Sequence, residues 1–427
     1  MSNTQEAHSI QASAETPMHC PVEHGSLSYQ KTSRSVGASP ETSSTTLQRD
    51  AQGVWQVHGF EEARTILRSS ATKQAGFNAE QLEKIPGVTN KPILYMEGKA
   101  HQQQRKQTAR FFTPKTVSSS YRQFMETLAD QFVNELKRKK RVDLSQLSLK
   151  LAVQVAAQVV GVTNSRLPGM DRRLDAFFQQ QPSSQEMMPL LRWEPFTRLR
   201  QLFHQRHVLA FYWLDVRPAI RARKRQAEED VISHLISQNY TDAEILTECI
   251  TYAAAGMVTT REFISIAAWH FLERPELRDR YLAAPEEERL EMLHETLRLE
   301  PVVGNLYRRA TADIPLESQG KKVVIPEGDM MNIHIYAANV DETVVGEEPL
   351  ALCPGRPIHR ERIPSMIMGF GDGHHRCPGS YLAIQETDIF LHRLLALDSL
   401  HMERIPTLNW NELTTGYEIR NFMIALE

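Results

Sequence analysis

Four cysteines in 427 residues are too few and too scattered for a disulfide framework. Cys20, Cys249, Cys353 and Cys377 form no CxxC pair and no regular spacing. That excludes a small stapled scaffold and a thiolate zinc cluster, and it fits a reducing compartment. No charge of one sign dominates: 49 basic residues against 52 acidic ones leave a net charge of −3. Basic-aromatic interleaving is absent too, so no nucleic acid or other polyanion is expected as a partner. No apolar run is long and unbroken enough for a signal peptide or a membrane span, so the expectation is a cytoplasmic protein with no membrane anchor. No GxGxxG follows a predicted strand, and the length leaves no room for a fused reductase domain.

What is present suits a large buried core, with 41% hydrophobic and 24% charged residues. Residues 1–50, rich in Ser, Thr, Gln and Glu, read as a flexible N-terminal segment. Cys20 lies there between His19 and Pro21 and reads as part of a plain tail rather than a metal site. Residues 51–427 carry no repeat and no linker, and read as one domain that is mainly α with a minor β part. WQVHGFEEARTILRSS (55–70) predicts strand, glycine turn and helix; 121–162 predicts two helices. A long apolar helix is predicted over 245–273, with Gly256, Thr259 and Thr260 at its middle. KVVIPEGDMMNIHIYAAN predicts strands of a small sheet, and 380–397 returns to helix. Cys249 and Cys353 read as core thiols.

Cys377 stands apart. It sits in FGDGHHRCPG (370–379), too rich in glycine for a regular element and directly before a helix. Free N–H groups at a helix start stabilise a thiolate. Gly371, Gly373 and Gly379 permit close backbone approach or positive φ, and His375 and Arg376 bring potential cations. A redox thiol, a catalytic nucleophile and an axial haem ligand all fit these features.

Phe370, Gly371, Gly373, His375, Cys377 and Gly379 fill a pattern that resembles the haem-binding loop of the cytochrome P450 superfamily. Glu295-x-x-Arg298 upstream is similar to that family's ExxR pair. AAGMVTT (254–260) resembles its oxygen-activating groove. The resemblance covers residues 50–427 and implies the cytochrome P450 fold, with a long central helix over haem b and a Cys-ligand loop. It assigns Cys377 as the metal ligand. His101, Arg105, Arg308, His375, Phe370, Gly371 and Gly379 would hold the cofactor, and Glu295, Arg298 and Arg356 would form a structural network. Gly256, Thr259, Thr260 and Ala255 are then the catalytic candidates. Thr251, Ala254, Val302, Val303, Asn305 and Thr415 would line the substrate pocket, together with the loop near 77–95, the helix region 170–210, Thr414 and Tyr417.

The implied activity is a monooxygenase of the soluble bacterial type. It would insert one atom of O2 into a mostly apolar small molecule, of the kind found in secondary metabolism. Electrons would come from a separate ferredoxin or flavodoxin with its NAD(P)H reductase. One position departs from the family pattern: Val258 stands where most members carry an acid before the groove threonine. Glu262, one helical turn on, reads as a surface residue, a partner of Arg261 or a substitute relay. The departure keeps a second reading open, a haem-thiolate enzyme with peroxide-driven or non-monooxygenase chemistry. A non-catalytic haem sensor stands behind both.

Overall fold

The computed structural model describes residues 45–77, 90–179, 206–358, 363–411 and 414–427. Its sheet starts close to the N-terminal end of that range. Strand β1 (Leu47–Arg49) pairs antiparallel with β2 (Trp55–Val57), Leu47 opposite Val57. The lead-in assigned to 1–50 is thus too long, because 47–49 belong to the sheet; residues 1–44 lie outside the described residues. With β3 (Thr72–Gln74), β4 (Asn305–Ala310) and β5 (Met330–His334), the strand order is β1-β2-β5-β4-β3. Strand β5 runs parallel to β2 and antiparallel to β4. Helix α1 (Phe60–Arg68) follows β2 with Gly59 as its N-cap, as the glycine turn predicts.

The helices start and stop where their caps dictate. Helix α2 (Gly98–Thr108) follows Glu97. Helix α3 (Leu144–Val160) starts at Asp143, whose carboxylate accepts from Ser145 N–H, and it stops at Gly161 with φ 97°. Helix α4 (Asp242–Ala253) opens with a reciprocal capping box between Thr241 and Glu244. The predicted 245–273 helix runs from Asp242 to Glu273, with a π turn inside it. A π turn over Ala254–Val258 separates α4 from α5 (Thr259–Glu273). Helix α6 (Glu286–Leu299) carries three glutamates in its first turn and ends before Pro301. Helix α7 (Ser380–Leu395) begins directly after the cysteine loop.

Helix α5 is buried almost all round and packs against α3 and α7. The helices enclose one apolar cluster and the sheet with α1 a second. A cavity of about 310 Å³ lies along their seam, walled by Leu297, Phe263 and Leu382 from the first and Met368, Ile335 and Leu306 from the sheet side. Cys249 is a buried free thiol as expected, whereas Cys353 is disulfide-bonded rather than a free core thiol.

Candidate active site

The cysteine loop is fastened before it is functional. Gly371 and Gly373 take φ of 69° and 68°, open to glycine at little cost. A Cβ on Gly373 would come within 2.1 Å of the Leu67 carbonyl oxygen, so only glycine lets the loop lie on the end of α1. Asp372 accepts from Gly373 N–H at 2.7 Å and from Arg68 Nε at 2.8 Å. Cys377 N–H donates to Phe370 O at 2.9 Å, closing the loop on itself.

Burial pushes the Cys377 thiol up, against the Gly379 N–H, Arg105 and Arg376, which all favour the thiolate. A thiol in that balance becomes a stable thiolate once a further cation, such as iron, binds it. Arg308 is only 3% exposed, and its hydrogen bond runs to the carbonyl of Tyr307 at 2.8 Å. Burial lowers its pKa to about 10, with Glu97 as the opposing charge. A buried guanidinium with donors to spare on a cavity wall fits an anionic group, as a haem propionate is. Arg105 joins it on that wall and donates to the carbonyl of Arg376. His101 stacks on His375 with ring centroids 4.2 Å apart. Burial first, then the charges of His375 and Arg105, bring His101 down to about 4, so it is neutral near pH 7. His375 Nε2 lies 3.1 Å from Glu97 Oε2. The donor set therefore suits an iron-bearing macrocycle with acidic side groups.

Gly256, Ala255, Thr259 and Thr260 line the same cavity, as do Thr251, Ala254, Val302, Val303, Phe370, Gly371 and Gly379. Thr259 Oγ donates to Ala255 O at 2.6 Å, across the π turn. A Cβ on Gly256 would meet Ala156 only at 3.7 Å, so its absence leaves the wall open rather than relieving a clash. Val258 is buried and lies outside the cavity lining.

Three pocket assignments need correction. Asn305 turns its amide into the sheet, donating to Asn332 Oδ1 at 2.8 Å, and does not line the cavity. Thr415 spends its hydroxyl on the carbonyls of Asn305 and Thr414, and Thr414 takes the place on the wall. Tyr417 is fully buried, donating to Glu300 O at 3.1 Å, and is likewise off the wall. Glu262 is neither a surface group nor a relay. It is 1% exposed and held by Arg261 Nε at 2.8 Å, Arg420 at 2.7 Å and Ile419 N–H at 2.7 Å. Of the broader pocket regions, Phe77 and Ile93–Tyr95 reach the wall; 78–89 and 180–205 lie outside the described residues.

Glu295, Arg298 and Arg356 meet as one network. Arg298 bonds both Glu295 oxygens at 2.7 Å and the carbonyls of Asn339, Pro349 and Ala351. Glu295 Oε1 also accepts from Cys353 N–H at 2.9 Å and from Arg356 at 3.3 Å. Asn339 carries the network on to Met368 N–H at 2.8 Å, two residues before the cysteine loop. Sequence reasoning missed two carboxylates here. Glu97 joins β3 to the loop, accepting from Gln74 N–H at 2.8 Å while it faces His375. Glu386, from α7, lines the cavity. The available signal was an acid in an otherwise apolar helical face.

A cytochrome P450 family profile matches residues 290–410. The biotin biosynthesis cytochrome P450 of Bacillus subtilis (strain 168) is 26% identical over 374 residues, 85% of this chain and 86% of that protein. Cytochrome P450(BM-1) of Priestia megaterium is 24% identical over 369 residues, 82% of each. Among solved structures, CYP109B1 from Bacillus subtilis superposes with a TM-score of 0.68 at 22% identity, covering 90% of this chain and 96% of that one. P450BioI in complex with hexadec-9Z-enoic acid ligated acyl carrier protein superposes with a TM-score of 0.70 at 24% identity, covering 90% and 94%. With that likeness running through both sequence and fold, the chain belongs to the cytochrome P450 superfamily and is a monooxygenase-type enzyme working with haem b on a cysteine thiolate.

Proposed function

We propose that the enzyme hydroxylates a mostly apolar small molecule with O2 and electrons from a separate donor protein. The observation that carries this reading is that Cys377 and the Gly256–Thr260 groove line one cavity. Cys377 would ligate the iron, while His101, Arg105, Arg308 and His375 would hold the propionates. When bound, the haem supplies the redox chemistry of R–H + O2 + 2e⁻ + 2H⁺ → R–OH + H2O. The chain's part is placement and proton handling. Phe263, Val302, Val303 and Ile93 exclude water and hold apolar substrate, with Thr251 as a polar handle. Gly256 keeps the wall clear beside Thr259, whose hydroxyl manages a proton at the groove.

The electron donor we propose is an acidic ferredoxin or flavodoxin served by an NAD(P)H reductase. Lys106, Arg110, Lys115 and Arg376 are exposed, and no carboxylate occurs in the sequence between Glu97 and Glu126. A basic face beside the cysteine loop suits an acidic partner. Among the described residues no helix is long and apolar enough to cross a membrane.

The test is spectroscopic, then chemical. The reduced carbon monoxide complex should show the thiolate-type Soret band, and Cys377→His should convert it to the imidazole type; an unchanged band would reassign the ligand. A panel of terpenes, fatty acids, steroids and aromatics should then shift the ferric spin state, and product should require the electron donor. Product formed from peroxide alone, with none from the donor and O2, would favour the peroxide-driven reading.

A further inference from the structure

Of the buried side-chain atoms without a hydrogen-bond partner among the described residues, only Gln74 Nε2 belongs to the cavity wall. Gln74 ends β3 and is 6% exposed. It stands directly opposite Arg308 in the antiparallel β3–β4 ladder, which puts the two side chains on one face of the sheet, and both line the cavity. Its backbone is fixed, because Gln74 N–H donates to Glu97 Oε1 at 2.8 Å while Glu97 Oε2 lies 3.1 Å from His375 Nε2. A buried amide N–H left unpaired destabilises the fold, and an acceptor in the cavity removes that penalty. An anion takes the NH2 side of an amide, which is the side left without a partner here. Glu97 already offsets part of the Arg308 charge, so an anion beside Arg308 gains from a second donor that carries no charge of its own.

We propose that Gln74 is a further cofactor-binding residue, whose side-chain amide donates to a haem propionate beside Arg308. The inference rests on the placement of the propionates proposed above. It adds a donor that belongs neither to the cysteine loop nor to the cations of α2. Gln74 supplies a hydrogen bond without a charge, so it holds a carboxylate and leaves the balance between Arg308 and Glu97 as it is. Guanidinium and amide project from paired strands, so the ladder fixes their separation. The competing acceptor for this amide is a polar group of the substrate, and the test separates the two.

Gln74→Met keeps the length of the side chain and removes the donor, while Gln74→Glu keeps the shape and sets a carboxyl against the propionate. Haem transfer from the ferric holoprotein to apomyoglobin should be on the order of tenfold faster in Gln74→Met, as the loss of one hydrogen bond to a charged group implies. It should be faster still in Gln74→Glu. The propionate-bending band in resonance Raman spectra should move in both variants. The thiolate-type Soret band of the reduced carbon monoxide complex and the substrate spin shift should stay as in wild type. Arg308→Met is the reference. If it speeds haem transfer and Gln74→Met does not, this inference alone is overturned. Faster transfer with an unmoved propionate band would mark a loosened fold rather than a lost bond, and overturns it too. A Gln74→Met protein that keeps its haem but shows a weaker substrate spin shift would give the amide to the substrate instead. If neither Arg308→Met nor Gln74→Met affects haem transfer, the propionates lie elsewhere, and their placement falls together with this inference.

Discussion

His334 shows how a single side chain ties the sheet to pH. It stacks on His58 with centroids 4.3 Å apart, its Nε2 is 2.7 Å from Gln56 Oε1, and Asn305 Nδ2 lies 3.2 Å from its Nδ1. The neutral ring with a proton on Nε2 satisfies both contacts, and a second proton would face the Asn305 amide. Burial, then the charge of His58, brings its pKa from the ordinary 6.5 down to about 4. Because the folded value is the lower, the unfolded chain binds more protons between the two. The resulting stability is full above about pH 6.5 and is lost as pH falls toward about 4. A shift of this size corresponds to roughly 3 kcal/mol. Urea unfolding of His334→Gln should therefore lose less stability than wild type between neutral pH and pH 4, with His58 titrating in both. Parallel pH curves would show that His334 binds its proton equally well folded and unfolded. The same cluster explains why Asn305 left the pocket: family position put it near the substrate, but a cross-strand amide and a histidine claimed its side chain first.

Between residues and the whole lie the elements, and here the sequence was unevenly legible. The cysteine loop could be read because its glycines, histidine and cysteine all fall within ten residues, so local spacing carries the geometry. The groove helix was read correctly as long, but its π turn was missed, because such a turn keeps helical backbone angles and leaves no mark in apolar periodicity. Glu386 was not read because its meaning arises only where α7 packs on α5, a pairing with no signature in either segment alone. Glu262 was half read, as a partner of Arg261 but not as a buried group, since the C-terminal strand that buries it lies far away in sequence. The loop allows a comparison between two glycines. Gly371 and Gly373 share nearly the same positive φ, so alanine costs each about 1–2 kcal/mol of backbone strain. A Cβ at Gly371 meets Leu306 at an ordinary 3.7 Å, whereas one at Gly373 meets Leu67 O at 2.1 Å. Gly373→Ala should lower the thermal stability of the holoprotein, and speed haem transfer to apomyoglobin, clearly more than Gly371→Ala. Equal effects would mean that the loop is free to lift from α1.

At the scale of the molecule, the proposed reaction draws its electrons from another protein, and that crossing should feel salt. The fold places the cysteine loop beside α2, and the segment from Gly98 to Met125 carries basic residues and no carboxylate. Exposed charges attract a partner over about one Debye length, roughly 8 Å at physiological ionic strength, and salt weakens that attraction first. Reversing Lys106 and Lys115 to glutamate should raise the KM for an acidic ferredoxin on the order of tenfold at low salt, chiefly through slower association. The substrate-induced spin shift, which reports on the buried cavity rather than this face, should not move. High salt should close the gap between variant and wild type, because it screens the steering that only wild type has. Stopped-flow reduction of the carbon monoxide-saturated ferric enzyme at several ionic strengths measures this directly. If the double reversal leaves the reduction rate and its salt slope unchanged, electrons enter through a different face and the basic segment has no part in docking.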